Sequence, residues 1–199
     1  MDPSAPLTTT ELETACALPV LDAQGNSVPF GSLFENTRAV VVFIRHFWCG
    51  SCQDYVCQLA TVPRAALENA GVKLVVIGCG ESSMIKDYQE LTQLTNGEIY
   101  ADPSRRLYDV LGTTSNRKMP SERPSYVQHG LFLNLVRSFW RGYITHFASI
   151  GKQGNDSQLG ADLVVGPGQT CSFIWRMRNT QDHVAVLELM KHAGVEWTP

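Results

Sequence analysis

The chain contains the residues Ala39-Val40-Val41-Val42-Phe43-Ile44, followed directly by Arg45-His46-Phe47-Trp48-Cys49-Gly50-Ser51-Cys52, and the predicted fold is built around them. Six consecutive apolar residues, most of them β-branched, predict a central strand buried on both faces. The pattern becomes helical from about Gly50 to Asn69, and a second apolar run, Val72 to Ile77, follows Gly71. A strand, a helix and a strand in that order predict two parallel strands in one sheet.

Shorter elements surround this unit on both sides. The pattern from Thr8 to Glu11 predicts a capped helix that ends before Pro19. A two-stranded hairpin is expected around residues 22–26, at one edge of the sheet. The remaining predictions are helices from Ser83 to Leu94, Ser104 to Leu111 and Asp182 to Ala193, and strands from Ile99 to Ala101, Ala161 to Val165 and Cys171 to Trp175. Together they predict an α/β fold in one domain, residues 1–199, with helices on both faces of a mixed sheet.

Composition and charge disfavour several classes of protein. Apolar residues make up 44% of the chain, charged residues 18% and aromatic residues 9%, which is typical of a globular protein. The net charge of −3 disfavours a general nucleic-acid-binding surface. No apolar run approaches the roughly 18 to 20 residues of a transmembrane segment. The first residues lack the pattern of a signal peptide, so we expect the six cysteines to lie in a reducing compartment, the cytoplasm.

The sequence Cys49-Gly50-Ser51-Cys52 carries the strongest chemical signal, because it lies between a buried strand and the first turn of a helix. Unpaired N–H groups and the helix dipole stabilise a thiolate at that position, and Arg45 and His46 just upstream add positive potential. We therefore interpret Cys49 as a nucleophile. Cys52, one turn further along, can form a disulfide with Cys49 and serve as a shielded resolving thiol.

Each of these residues also has a structural interpretation. The two cysteines are alternatively half of a zinc site or buried core thiols, but the other cysteines and histidines show no second paired spacing, and we predict no metal site. His46 is either a general acid or a strand-end histidine bonded to backbone. Arg45 either holds the thiolate or a substrate anion, or forms a structural ion pair with Asp54.

Other features leave their roles open. Residues 117–147 combine basic side chains with an apolar helical stripe, and they suit a membrane-surface element, a pocket wall for an apolar carboxylate, or a helix packed on the sheet. The stripe consists of Phe132, Val136, Phe139, Tyr143 and Phe147. Cys79 follows a strand and is a candidate backup thiol, and Cys57 is a candidate core cysteine. Asp182 is the expected N-cap of the last helix, with His183 beside it.

Matching stretches spread over nearly the whole chain point to one family. They are Leu18 to Asp22, Val40 to Cys49, Leu74 to Gly78, Ala101 to Tyr108 with Leu111-Gly112, and Gln158 to Ala161. In these stretches the chain resembles the thioredoxin-fold, peroxiredoxin-like proteins of the AhpC/TSA antioxidant class. It is most similar to the branch with selenoprotein-U-like and prostaglandin-F-synthase-like members, in which Cys-x-x-Cys or Sec-x-x-Cys occupies this turn. The resemblance implies a thioredoxin-like three-layer fold, with Cys49 and Cys52 as the redox pair.

Two positions depart from the patterns of related families. Peroxiredoxins carry Pro-x-x-x-Thr/Ser-x-x-Cys, in which the hydroxyl binds peroxide, whereas Val42 and His46 stand at the Pro and Thr positions. Thioredoxins carry a cis-proline before the strand that faces the active-site cysteine, whereas Gly160-Ala161 stands there. What the resemblance implies is therefore a thiol redox fold whose substrate is a hydroperoxide, an endoperoxide or a small disulfide.

We therefore expect a peroxiredoxin-like oxidoreductase in which Cys49 attacks an O–O or S–S bond and Cys52 resolves the intermediate. Arg45 and His46 assist Cys49, and an external thiol, thioredoxin or glutathione, restores both cysteines. This chemistry requires no bound cofactor, and it is compatible with a homodimer. The alternative is a member of the fold without redox chemistry, which binds or acts on an apolar metabolite, a lipid or a protein partner through residues 117–147.

Overall fold

The computed structural model describes residues 2–120, 124, 126 and 151–198. Its strands are β1 (Pro19–Leu21), β2 (Ser27–Pro29), β3 (Arg38–Phe43), β4 (Val72–Gly78), β5 (Glu98–Ala101), β6 (Ala161–Gly166) and β7 (Thr170–Arg176). They form one sheet in the order β2-β1-β5-β4-β3-β6-β7. The pairs β3–β4 and β4–β5 are parallel, and the other neighbours are antiparallel. The prediction of a mixed α/β sheet is confirmed.

Helices cover both faces of this sheet. They are α1 (Thr9–Ala17), α2 (Gly50–Ala60), α3 (Arg64–Ala70), α4 (Ile85–Thr92), α5 (Arg106–Val110) and a C-terminal helix (Val186–His192), with short 3-10 helices at Phe30–Phe34 and Ser82–Met84. Val40 and Val42 of β3 face a core that includes α2 and α4. Val41 and Phe43 face the opposite core, against α1 and α5. Because strand side chains alternate between faces, a single buried run separates two cores, and the predicted three layers are confirmed.

The N-terminal elements follow the local sequence signals. Thr8 and Glu11 form the predicted capping box, in which Glu11 Oε2 accepts the Thr8 N–H at 2.8 Å and Thr8 Oγ1 accepts the Glu11 N–H at 3.2 Å. The hairpin of β1 and β2 pairs Val20 with Val28 and forms one edge of the sheet. Both features depend on contacts within a few residues, which explains why the sequence predicts them.

Two predicted helices have different bounds in the structure. The helix expected from Gly50 to Asn69 is divided, with α2 ending at Ala60 and α3 beginning at Arg64. Pro63 between them lacks a backbone N–H and disfavours helical backbone in the residue before it. The prediction of Asp182 as N-cap is wrong, because the C-terminal helix begins at Val186 and the Asp182 carboxylate instead accepts bonds from the backbone and guanidinium of Arg178.

Strand β6 approaches β3 very closely at its first residues. A Cβ atom built on Gly160 lies 1.8 Å from the carbonyl oxygen of Phe43, a distance that no side chain tolerates. Phe43 pairs with Ala161 in the antiparallel ladder, so Gly160 enters the sheet beside the carboxyl end of β3. The glycine therefore brings the loop before β6 against the turn that carries the predicted site.

Candidate active site

Cys49 is the N-cap residue of α2, in the turn that follows the end of β3 at Phe43. Its N–H donates to the carbonyl of His46 at 3.1 Å, and its own carbonyl accepts the Gln53 N–H at 2.9 Å. The Gln53 side chain also donates to the carbonyl of Phe47 at 3.0 Å. Backbone and side-chain bonds therefore fix the turn between the strand and the helix.

The sulfur atoms of Cys49 and Cys52 lie 2.8 Å apart, with the Cys52 thiol as donor and Cys49 as acceptor. Both cysteines are free thiols, and their exposed fractions are 4% and 0%. The hydrogen bond from Cys52, together with Arg45, holds the pKa of Cys49 well below its usual range. Burial and the same hydrogen bond raise the pKa of Cys52. The arrangement therefore favours ionisation of Cys49 and protonation of Cys52.

Arg45 lies beside this pair, where the sequence predicts it. Its Nη1 donates to Cys49 Sγ at 3.4 Å and its Nε donates to the carbonyl of Gln158 at 3.2 Å. Its Nη2 donates to the carbonyl of Asp156. These contacts favour the interpretation of Arg45 as a partner of the thiolate. The two carbonyl acceptors could not be predicted from the sequence, because every residue has the same backbone oxygen.

The loop that supplies those carbonyls is tied to the rest of the site. The N–H groups of Phe47 and Glu81 donate to the carbonyls of Gln153 and Lys152, at 3.0 and 2.8 Å. Both contacts join residues far apart in sequence. The loop before β6 is therefore part of the site's framework.

His46 is 9% exposed and lies close enough to Cys49 for the two to interact electrostatically. Burial lowers the pKa of His46, which opposes the positive charge that the sequence analysis assigns to it. Its Nδ1 is buried and has no hydrogen-bond partner within the described residues. A neutral imidazole with a free nitrogen suits proton exchange better than charge stabilisation.

Ser51 is a contact that the sequence analysis missed. Its Oγ lies 3.3 Å from Cys49 Sγ and donates to the carbonyl of Thr180 at 3.1 Å. The contact could have been predicted from the serine between the two cysteines, since a hydroxyl on the first turn of a helix lies near the N-cap side chain. Ser51 connects the sulfur pair to the segment before the C-terminal helix.

Cys79 and Cys57 make no hydrogen bond to the pair among the contacts described. The Cys79 thiol lies in the opposite core and donates to the carbonyl of Arg45 at 2.9 Å. Burial raises the pKa of each thiol to about 11. Both are therefore protonated at neutral pH.

Two aromatic side chains lie in the turn just before Cys49. Phe47 is buried, with its ring against Gly78 and Tyr88, whereas Trp48 is only half-buried. Of the segment 117–147, Arg117 binds Asp156 at 2.8 Å on the surface. The predicted stripe from Phe132 to Phe147 lies outside the described residues.

A buried acid and a buried histidine lie on the sulfur side of the sheet. His183 Nδ1 is 2.8 Å from Asp162 Oδ1, with side-chain exposures of 1% and 0%. The other carboxylate oxygen accepts the Val184 N–H at 2.8 Å. His183 was expected only as the neighbour of an N-cap residue, and an aspartate within the apolar strand β6 was the signal that pointed to this pair.

Comparisons with known proteins agree on one family. Residues 58–179 match the family described as AhpC/TSA antioxidant enzyme, so the match begins after the cysteine pair. The chain is 40% identical to human (Homo sapiens) Peroxiredoxin-like 2C over 98% of its own length and 85% of that protein. It is 30% identical to the chloroplastic Thioredoxin-like protein AAED1 of Arabidopsis thaliana, over 86% of this chain and 68% of that protein.

Solved structures share the fold at low sequence identity. A cysteine-to-serine mutant of peroxiredoxin Q from Xanthomonas campestris has a TM-score of 0.60 at 10% identity, covering 98% of this chain and 96% of that one. Peroxidoxin BcpB from Mycobacterium tuberculosis has a TM-score of 0.59 at 10% identity, with the same coverage. The thioredoxin-like fold predicted from the sequence is confirmed.

Proposed function

The chain belongs to the AhpC/TSA antioxidant enzyme family, and we propose that it is a thiol-dependent oxidoreductase that reduces a peroxide, an endoperoxide or a small disulfide. Family and fold support a thiol-based redox role. The single observation that carries the specific proposal is the 2.8 Å hydrogen bond from Cys52 to Cys49. A thiol that donates to a neighbouring sulfur marks the acceptor as the nucleophile.

The first step uses the Cys49 thiolate. Its sulfur attacks the terminal oxygen of a hydroperoxide, the S–O bond forms and the O–O bond breaks. The alkoxide that leaves takes a proton, for which we assign His46 as the carrier: its free Nδ1 takes up the proton released when the Cys49 thiol ionises and passes it to the leaving oxygen. Arg45 holds the negative charge on sulfur before the attack and on oxygen during it. With a disulfide substrate, Cys49 attacks sulfur and a thiolate leaves instead.

The second step uses the Cys52 thiol. Its sulfur attacks the Cys49 sulfenic acid, the S–S bond forms and the S–O bond breaks, the Cys52 thiol gives up its proton, and the leaving hydroxide is protonated to water. Two equivalents of an external thiol then reduce the disulfide and are themselves oxidised to a disulfide. We assign this role to thioredoxin or glutathione, and we place the protein in a reducing compartment such as the cytoplasm.

The whole chain, residues 1–199, is proposed to act as one domain, alone or as a homodimer. No helix among the described residues is long and apolar enough to cross a membrane. The proposal needs no resident cofactor, because both redox equivalents are held on sulfur.

Intact-mass analysis after titration with peroxide tests the proposal. The wild type is expected to lose two hydrogens, with peptide mapping locating the link between Cys49 and Cys52. Cys49→Ser is expected to stay unmodified, and Cys52→Ser to retain one added oxygen or a mixed disulfide at Cys49. Cys171→Ser, on the edge strand β7, is the matched control and should behave as wild type. Free thiols at both positions, after treatment that fully oxidises a thioredoxin standard, would overturn the proposal.

A further inference from the structure

The buried pair of Asp162 and His183 has no role in the chemistry above, although it lies on the same side of the sheet as the cysteines. Asp162 pairs with Val42 in the ladder between β6 and β3. Val42, Cys49 and Cys52 all belong to one core. Since side chains two residues apart share a face, and Val164 of β6 also lies in this core, Asp162 points to the sulfur side.

The geometry of the pair resembles that of a general base. A bond of 2.8 Å joins His183 Nδ1 to Asp162 Oδ1, and donation from Nδ1 to a carboxylate leaves Nε2 as an acceptor. Nε2 is buried and has no hydrogen-bond partner within the described residues. Native structures rarely leave a buried polar atom unpaired, so this nitrogen is available to take up a proton.

Two tyrosines connect the pair to the cysteines. Tyr55, one helical turn after Cys52, stacks its ring on His183 with centroids 4.4 Å apart. Tyr126 packs against Tyr55 at 5.1 Å, and its hydroxyl oxygen accepts the backbone N–H of His183 at 3.3 Å. Burial, and then the charges of Cys52 and Asp162, raise the pKa of Tyr126, so its hydroxyl lies within electrostatic range of both.

Cys52 needs such a partner, because its side chain is fully buried and bulk water has no direct access to its proton. When Cys52 attacks, its thiol must release a proton, and when the disulfide is reduced, its thiolate must regain one. An isolated buried thiolate is unfavourable. The proton therefore has to move to or from another buried group.

We propose that His183, oriented by Asp162, accepts and returns the proton of Cys52 through the hydroxyl of Tyr126. The inference rests on the proposed function. During disulfide formation the Cys52 proton passes to His183 as the S–S bond forms and the S–O bond breaks, and the leaving hydroxide takes a separate proton from solvent and departs as water, so that His183 stays protonated. During reduction a thiolate attacks Cys49, Cys52 leaves as thiolate, and protonated His183 returns the proton. Asp162 acts as a positioning residue.

The titratable groups that face the pair come from α2 and from two loop positions, Tyr126 and Asp182. Tyr55 of α2 and the Tyr126 hydroxyl interact electrostatically with Asp162, and Tyr126 also interacts with Cys49 and Cys52. On the surface side, Asp182 is neutralised by Arg178 at 2.9 Å. The dependence of the rate of disulfide formation on pH therefore reports on the buried groups around Asp162 and His183.

Rapid-quench alkylation of the full chain tests the inference. Protein is mixed with peroxide from pH 6 to 9 and quenched with N-ethylmaleimide, and intact mass separates sulfenic acid from disulfide. His183→Gln is expected to slow disulfide formation by about 10²-fold and flatten its dependence on pH, with an unchanged rate of sulfenic acid formation. His192→Gln is the matched control, an exposed histidine on the C-terminal helix that should behave as wild type.

Tyr126→Phe provides a second test, which keeps the ring packing and removes only the hydroxyl if His183→Gln fails to fold. A slow second step in Tyr126→Phe supports the full relay. A slow step in His183→Gln alone supports the role of His183 and overturns that of Tyr126. Folded variants with wild-type rates and pH profiles overturn the inference alone, whereas a wild type that forms no disulfide overturns the proposed function and the inference together.

Discussion

The Nη1 nitrogen of Arg45 lies 3.4 Å from Cys49 Sγ, while Nε and Nη2 of the same guanidinium are bonded to the carbonyls of Gln158 and Asp156. The positive charge is therefore held at the sulfur by the loop before β6. A planar group with donors in fixed directions meets all three acceptors at once, which an ammonium group cannot do.

Arg45→Lys is expected to raise the pKa of Cys49 towards its ordinary value, without abolishing the contribution of Cys52. Alkylation of Cys49 by iodoacetamide at pH 6.5 should slow by about tenfold, equivalent to about one pKa unit. Arg178→Lys, which alters an exposed ion pair with Asp182, is the control. Equal alkylation rates in both variants would argue against the contact with the thiolate.

His46→Ala separates proton donation from thiolate stabilisation. Oxidation of Cys49 by peroxide should slow by about 10²-fold, because the leaving oxygen loses its acid. Alkylation of Cys49 at pH 8 needs no proton donor, so its rate should change by less than about threefold. An equal fall in both rates would mean that His46 acts on the sulfur alone. The exposed His192→Ala serves as the control.

Bulky apolar hydroperoxides are expected to react faster than hydrogen peroxide. His46 stands at the position where peroxiredoxins carry the hydroxyl that binds peroxide. Half-buried Trp48, in contrast, offers apolar surface next to Cys49. Trp48→Ala should lower kcat/KM for cumene hydroperoxide by about tenfold, a loss of about 1–2 kcal/mol of apolar contact, with little change for hydrogen peroxide. Trp197→Ala, at a second half-buried tryptophan, is the control. Equal values for the two substrates in the wild type would indicate a general antioxidant activity.

Gly160→Ala is expected to destabilise the protein by at least about 3 kcal/mol, because the new methyl group meets the Phe43 carbonyl and neither backbone can move freely. Urea denaturation measures this loss. Gly166→Ala is the control, since its added Cβ meets the flexible side chain of Arg38 at 3.2 Å and should cost about 1 kcal/mol or less. Similar midpoints for the two variants would contradict the close approach of β6 to β3.

The stability of the reduced protein should fall as pH rises above 9. A thiol whose pKa is raised on folding keeps its proton longer than in the unfolded chain, so its contribution is lost as pH increases. For Cys79, with a pKa of about 11, the loss by pH 10.5 is about 2 kcal/mol. Cys79→Ala should show a correspondingly shallower fall in urea denaturation under reducing conditions. The pKa of Cys171 is also raised to about 11, so Cys171→Ala should show a similarly shallower fall, and parallel curves for Cys79→Ala and wild type would contradict the prediction.

The sequence predicts those parts of the fold that depend on neighbouring residues. The apolar run of β3 and the capping box of α1 follow from local patterns, and so does the position of Cys49 at the start of α2. The break between α2 and α3 could also have been predicted from the sequence, because Pro63 lies at that break. These features need no knowledge of what packs against them.

The remainder depends on contacts between distant segments. Arg45 meets carbonyls more than 100 residues away, and backbone oxygens look alike in every sequence. Asp162 and His183 meet because β6 and the segment after β7 pack on the same core. Asp182 was misassigned because its carboxylate is used by Arg178 instead of a helix N-terminus. In such cases a polar side chain has several possible partners in the folded protein, and the local sequence pattern does not show which of them it binds.

The six free thiols of this chain differ sharply in their ionisation. Burial raises the pKa of Cys16 and Cys52, and it raises those of Cys57, Cys79 and Cys171 to about 11, while the pKa of Cys49 is lowered. A maleimide dye added to the native, reduced protein at neutral pH is therefore expected to couple at one position. The dye-to-protein ratio then counts the reduced, correctly folded molecules in a preparation, without removal of any of the other cysteines.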